Sequence, residues 1–325
     1  MKNRLIILFC ILGLIATMTA CDKQSQAKIT IALDWTPNTN HTGLYVAKEK
    51  GYFEELGLTV EIVQPPEDGA ASLVASGKAQ FGVDFQDYIA PAFATDEPLP
   101  ITAVAALLQH NTSGIISLKG NGMDTPKGMS GKVYATWDLP VEKAIIKSVV
   151  ETDGGDYDSI EMIPSTVTDV VTALNTDVDA VWVYYAWDGI ATKVKGVETD
   201  FFAFKDINPV LDYYSPILIA NNRYLEDNKE EAKAFLKAVA KGYEYAIDSP
   251  EEAANILIEA NPELDEDLVQ ESQKWISGQY KAEVSKWGYI DQQRWDNFYS
   301  WLWQEGLIEK EIPSGFGFTN DYLPD

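Results

Sequence analysis

Residues 31–53 read IALDWTPNTNHTGLYVAKEKGYF. A strand-like run ends in Asp34-Trp35, a polar turn-forming segment follows, and the chain resumes as a helix of small residues. Strand, polar turn and helix in that order open an α/β unit. The alternation continues outward from there. KITIALDW and LTVEIVQ read as β-branched strands, and GLYVAKEKGYFEELG between them reads as one helix stopped by Gly57. DGAASLVASGK is a further helix and AQFGVDF a further strand. Strands joined through helices pair in parallel, with the helices covering the sheet.

PITAVAALLQ and SGIISLKG are strand-like runs on either side of His110-Asn111-Thr112, a crossing point between two units. The second unit repeats the grammar: GKVYATW strand, PVEKAIIKSVVETDGG helix, IEMIPST strand, VTDVVTALNTDV helix, DAVWVYYAW strand, GIATKVKG short helix and TDFFAFK strand. YYSPILIANN then runs back, and helices are expected at 229–248, 250–261, 266–277 and 291–306. Two α/β units with a returning helical tail describe two lobes around a cleft. Lobe one is expected at 28–112 and 214–325, and lobe two at 113–213.

The start of the chain reads differently. MKNR is basic, LIILFCILGLIATMTA is apolar, and Cys21 follows small residues. That pattern is a lipoprotein-type signal peptide over 1–20, with Cys21 as the acylated residue and 21–27 as a polar tether. The alternative is an uncleaved membrane anchor, for which the apolar run is short against a hydrocarbon core of roughly 30 Å. Acyl chains on Cys21 would hold the protein on the extracytoplasmic face of the cell membrane. The other cysteine, Cys10, lies inside the leader, so the mature domain has no internal disulfide and no thiol nucleophile. Removing 1–20 takes away Lys2 and Arg4 and no acid, so the net charge of -25 falls by two, to -27. Such acidity argues against nucleic acid as a partner.

In open α/β sheets the carboxyl ends of the strands form the ligand crevice. Here those ends carry Asp34-Trp35 with Asn38 and His41, then Asp84, Phe85 and Gln86, then Trp137 with Glu142 in the next helix, then Tyr184, Tyr185 and Trp187. Aromatic faces at one edge stack on flat ligands, while carboxylates and amides orient them. His41 is either a hydrogen-bonded structural group or a ligand contact, and Glu142 either a contact or an exposed salt-bridging residue. His110 is read as structural. Trp275, Trp287, Trp295, Trp301 and Trp303 lie at helical spacing in the tail and are expected to pack the lobe. No catalytic signature, phosphate loop or cysteine metal set occurs, so no cofactor or metal is expected. DGGDYD, residues 153–158, lacks the ligand spacing and closing glutamate of a calcium loop.

LDWTPNTNHTGLYVAKEKGYF, LVASGKAQFGV, VEKAIIKSVVETDGGD, VDAVWVYYAW, LDYYSPILIANN and FTNDYLP together resemble the solute-binding lipoproteins of ABC importers for thiamine-precursor pyrimidines. The resemblance runs from about residue 29 to the end. It implies a type II periplasmic-binding-protein fold and a hydroxymethyl- or formylaminomethyl-pyrimidine ligand. It also implies a membrane permease and its ATPase as partners, with riboflavin or a flavin precursor as the alternative ligand. The superfamily includes eukaryotic pyrimidine synthases, which carry a lysine and a histidine in a Gly-Leu-Lys-x-x-x-His pattern. Here GVDFQDY puts Asp84 at the lysine position and Tyr88 at the histidine position, which disfavours an enzyme.

Overall fold

The computed structural model describes residues 27–65 and 69–324. The expected leader at 1–20, Cys21 and the tether up to residue 26 lie outside them; Ala27 already belongs to the first strand. Among the described residues, no helix is long and apolar enough to cross a membrane.

Among the described residues, ten strands form two five-stranded sheets. The first contains β1 (Ala27–Ala32), β2 (Leu58–Val63), β3 (Phe81–Asp84), β4 (Ile101–Ala106) and β10 (Ile217–Asn221), in the order β2-β1-β3-β10-β4. The second contains β5 (Ser113–Leu118), β6 (Val133–Thr136), β7 (Glu161–Pro164), β8 (Ala180–Tyr184) and β9 (Thr199–Ala203), in the order β7-β6-β8-β5-β9. Each sheet pairs its first three strands in parallel, and receives one antiparallel strand, β10 or β5, from the chain as it arrives from the other sheet.

Helices α1 (Thr42–Glu49), α2 (Tyr52–Glu55), α3 (Gly69–Ala75) and α4 (Gln86–Phe93) lie between the strands of the first sheet. Those of the second are α5 (Pro140–Thr152), α6 (Val170–Thr176) and α7 (Ile190–Val194), with α8 (Phe204–Ile207) after β9. The tail is α9 (Asn222–Asp227), α10 (Lys229–Asp248), α11 (Pro250–Ala260), α12 (Glu266–Ile276) and α13 (Gln292–Gln304). Two expectations shift in detail. The single helix expected after residue 42 breaks at Gly51, whose φ of 72° is left-handed. The strand expected through Trp187 ends at Tyr184, and Tyr185–Gly189 form one wide turn of π-helix.

Period-two alternation sorts side chains to the two faces of each sheet. In β8, Ala180 and Trp182 join the large shared core, while Val181 and Val183 join a smaller cluster with Val170 and Leu174 of α6. In β3, Phe81 and Val83 face the tail helices, where Phe235 of α10 stacks between Phe81 and Phe53 with centroids at 4.0 and 5.5 Å. The small residues after His41 have a packing reason. A Cβ on Gly43 would lie 2.3 Å from the Tyr243 ring, and one on Gly242 would lie 2.0 Å from the Gly43 carbonyl oxygen. Only glycines let α1 and α10 approach so closely.

The chain crosses between sheets after β4 and again before β10, and the two crossings are fastened together. Asn111 Nδ2 donates to the Leu211 carbonyl at 2.9 Å, and the Asn111 N–H donates to Asp212 Oδ1 at 3.0 Å. His110 bonds Asp212 through Nδ1 at 2.7 Å and Glu283 through Nε2 at 2.9 Å. Carboxylates only accept, so both ring nitrogens donate and the imidazole is cationic. The hydrogen bond to Asp212 foremost raises its pKa above the ordinary histidine value, and Glu283 adds to it. The structural reading of His110 matches this geometry.

Candidate functional site

The end of β1 places Asp34 and Trp35. Asn38 forms the following turn, its Oδ1 accepting from the Asn40 N–H at 2.9 Å and its Nδ2 donating to the Thr36 carbonyl at 3.0 Å. The Asn38 N–H donates to His41 Nδ1 at 3.2 Å, so Nε2 carries the ring proton and donates to Asp34 Oδ1 at 2.6 Å. His41 is fully buried with both nitrogens engaged. It cannot touch a ligand in this arrangement; it holds Asp34. Asn38 likewise serves the turn. Tyr280 and Tyr243 donate to the carbonyls of Thr39 and Asn40, each at 2.6 Å, tying the turn to the tail. Trp35 is 55% exposed, which leaves a large aromatic face open beside Asp34.

The end of β3 supplies Asp84 and, one residue on, the start of α4. Asp84 accepts from the Phe85 N–H at 2.8 Å and from the Ala71 N–H of α3 at 3.1 Å. Gln86 is not available to a ligand. It is wholly buried, donates to the Trp295 carbonyl at 3.0 Å and accepts from the Tyr214 N–H at 2.9 Å, joining α4 to a crossing and to α13. Its neighbours Asp87 and Tyr88 are the residues the sequence reading missed. Asp87 is buried, and its Oδ1 has no hydrogen-bond partner. Tyr88 is 48% exposed and meets Phe85 edge-on at 5.2 Å. The signal for them was the helix start itself, because the first turn of a helix following a strand lies at the crevice.

In the second sheet, Glu142 organises the β6–α5 turn. Its carboxylate accepts from Tyr134 Oη at 2.6 Å, Thr136 Oγ1 at 2.9 Å and the Trp137 N–H at 3.0 Å. It is buried and saturated, so neither reading from sequence fits: it is neither a free contact nor an exposed ion pair. Trp137 is half-buried and packs on Trp182 with centroids 5.5 Å apart. Asp138 follows at φ 65°, left-handed for a residue with a side chain, with its N–H on Thr136 Oγ1 at 2.9 Å. Tyr185 turns away from the strand ends to pack on Phe201 and Trp275 at 4.7 and 5.1 Å. Trp187 packs in a cluster with Tyr45, Leu257 and Val269 of the first sheet's helices. The π-turn accounts for both departures, because it rotates the chain off the strand after Tyr184. In the tail, Trp287 and Trp295 are buried as expected, whereas Trp303 is 42% exposed.

Tyr184 makes the decisive contact. Its ring stacks on Phe85 with centroids at 5.6 Å and an interplanar angle of 21°. The carboxyl ends of β3 and β8, from different sheets, therefore face each other. Electrostatics place the same groups together. Burial foremost, then Asp34, raises Asp84 to about 7; burial, with Asp84 adding to it, raises Asp87 to about 7. Tyr88 is raised by burial and by Asp87, Glu142, Asp84 and Asp34, which span both sheets. None of these perturbing groups is cationic. Such a site accepts hydrogen bonds and flat rings and repels anions. Two open cavities lie elsewhere, about 480 Å³ between α7 and α12 and about 290 Å³ beside α13; neither is lined by these strand-end groups. No group of three or more His, Cys, Asp or Glu placed to hold a metal occurs among the described residues.

Residues 38–253 match the family model described as "NMT1/THI5 like". The chain belongs to that family. It is 30% identical over 311 residues to the formylaminopyrimidine-binding protein of Halalkalibacterium halodurans, covering 94% of this chain and 93% of that one. It is 26% identical over 323 residues to a 4-amino-5-hydroxymethyl-2-methylpyrimidine phosphate synthase of Saccharomyces cerevisiae, covering 92% and 88%. Among solved structures, the alkanesulfonate-binding protein of Xanthomonas axonopodis pv. citri matches with a TM-score of 0.69 at 13% identity, covering 90% of this chain and 98% of that one. The fold is that of the type II periplasmic binding proteins, as the sequence resemblance implied.

Proposed function

We propose that this member of the NMT1/THI5-like family binds a thiamine-precursor pyrimidine between two lobes, 28–112 with 214–325 and 113–213, and passes it to an ABC permease. The observation that carries the reading is the facing of β3 and β8 through Phe85 and Tyr184, with Asp34 and Asp84 beside them and no cation among the groups that perturb the site. An aminopyrimidine is flat and offers an exocyclic amine as donor, which suits carboxylate acceptors between aromatic faces. The identity to a formylaminopyrimidine-binding protein supports the ligand class. Trp35, with its open face, is the stacking surface of the first lobe, and Tyr184 that of the second. Closure would turn on the crossings fastened by Asn111 and His110.

Binding is favoured over synthesis. Asp84 stands at the lysine position of the synthase pattern and is tied by two backbone N–H groups, and Tyr88 stands at the histidine position. Acylation of Cys21 would keep the protein on the outer face of the membrane, and Cys21→Ser would release it into the soluble fraction. Native mass spectrometry of the purified protein tests the ligand. A co-purifying hydroxymethyl- or formylaminomethyl-pyrimidine supports the reading, whereas a flavin mass would keep the fold and replace the ligand.

A further inference from the structure

The strand-end site holds more carboxylate than its own groups can neutralise. His41 engages Asp34 from one side only and, with Nδ1 occupied by the Asn38 N–H, does so as a neutral ring. Asp84 accepts one backbone N–H on each oxygen. Behind it, Asp87 is buried with Oδ1 unpartnered. Beside Asp87, the fully buried hydroxyl of Tyr213 lies close enough for the two groups to perturb each other. The groups that act on Asp84, Asp87 and their neighbours from each packed element are Asp34 after β1, Tyr88 in α4, Glu142 in α5, Tyr184 at the end of β8, Tyr213 on the crossing and Tyr299 in α13. All are acids or phenols, and none brings a positive charge.

A buried carboxylate is stable when paired with a cation or when protonated. Since none of these groups is a cation, we infer that the ligand supplies it: the pyrimidine is held as a monocation, protonated on a ring nitrogen and facing Asp34, Asp84 and Asp87. This inference rests on the pyrimidine reading above. The proton balance is simple. The complex holds one proton on the ligand. Below about pH 7 a carboxylic acid of the Asp84–Asp87 pair hands it over, since both groups are pushed up to about 7, chiefly by burial. At higher pH it comes from solvent. No bond other than N–H forms and none other than O–H breaks. A charge-assisted hydrogen bond is about twice as strong as a neutral one, which gives the fold a reason to leave the acids unpaired.

The test uses N-formyl-4-amino-5-aminomethyl-2-methylpyrimidine with nitrogen-15 in the ring. Titration calorimetry from pH 6 to 8.5, in buffers of different ionisation heat, reads Kd and protons taken up. Nitrogen-15 NMR of the complex reads the bound protonation state. The expected result is a Kd that weakens about tenfold between pH 7.5 and 8.5, the slope for one linked proton. With it should come uptake approaching one proton per ligand, and a bound ring resonance at the position of the free ligand in acid. A flat Kd, or a bound ring resonating as the neutral form, would overturn the inference. Absence of binding by the wild type at every pH would instead reject the pyrimidine reading, and this inference with it.

Discussion

The crossings, proposed as the hinge, and the facing strand ends, proposed as the cleft, both gather ionisable groups, and they treat charge in opposite ways. At the hinge, His110 stands between Asp212 and Glu283, with Arg294 at 3.8 and 3.7 Å from the same two carboxylates and 5.1 Å over the Tyr214 ring. Each acid there has a cation. In the cleft, Asp84 and Asp87 are buried among tyrosines and other acids. The hinge is an arrangement chosen for stability: opposite charges lower one another's energy and tie the crossings. The cleft costs stability when empty, because burying a carboxylate without a partner is unfavourable. Such a cost is tolerated as long as the cores keep the protein above its stability threshold.

If that contrast is right, variants at the two places should affect different measurements. The largest effect on affinity should come from Asp34→Ala. It removes the carboxylate that His41 orients, and affinity should fall by about 2–3 kcal/mol in calorimetry, the range for a charge-assisted hydrogen bond lost with its desolvation. Melting temperature should fall modestly, because the buried His41 Nε2 loses its acceptor.

The next effect is on stability. His110→Ala deletes a cation with two hydrogen bonds at a partly exposed site, so thermal unfolding at pH 6 should register a loss of about 1–2 kcal/mol. The loss should shrink as pH rises. A histidine with a raised folded pKa contributes stability fully below its unfolded value, about 6.5, and loses that contribution as pH passes the raised value. A constant deficit from pH 6 to 9 would contradict the charged hinge.

The smallest effect has the opposite sign. Asp87 titrates near 7 in the folded protein and near 3.9 when unfolded, so the empty protein loses stability as pH rises through that window. Asp87→Asn should therefore raise the melting temperature at pH 7 by about 2–4 °C, the shift expected for roughly 1 kcal/mol in a chain of this size. At pH 4 the difference should vanish. A lower melting temperature at pH 7 would show that Asp87 is paired after all.

The succession of strands along the chain and their ends were legible because hydrophobic periodicity and the crevice rule act locally. Asp34, Asp84 and Tyr184 sit where strands stop, and the structure brings them together. Gln86, Asn38 and Glu142 sit in the same places but bond inward, to backbone groups left unpaired by turns and helix starts. Sequence does not say which way a polar side chain turns. Tyr185 and Trp187 were misplaced by a single wide turn, since a strand and a π-turn rich in aromatics read alike. Asp87 and Tyr88 were passed over because an acid and an aromatic at a helix start are ordinary. Only the facing of the two sheets, a contact between distant segments, shows what surrounds them.

The most direct test of the cleft is titration calorimetry of the protein with N-formyl-4-amino-5-aminomethyl-2-methylpyrimidine at pH 7, beside Asp34→Ala and Trp35→Ala. Saturable binding at one site, weakened at least tenfold in both variants while each still unfolds in one cooperative transition, is the predicted result. Tight binding that neither substitution changes would place the ligand elsewhere on the molecule and contradict the account.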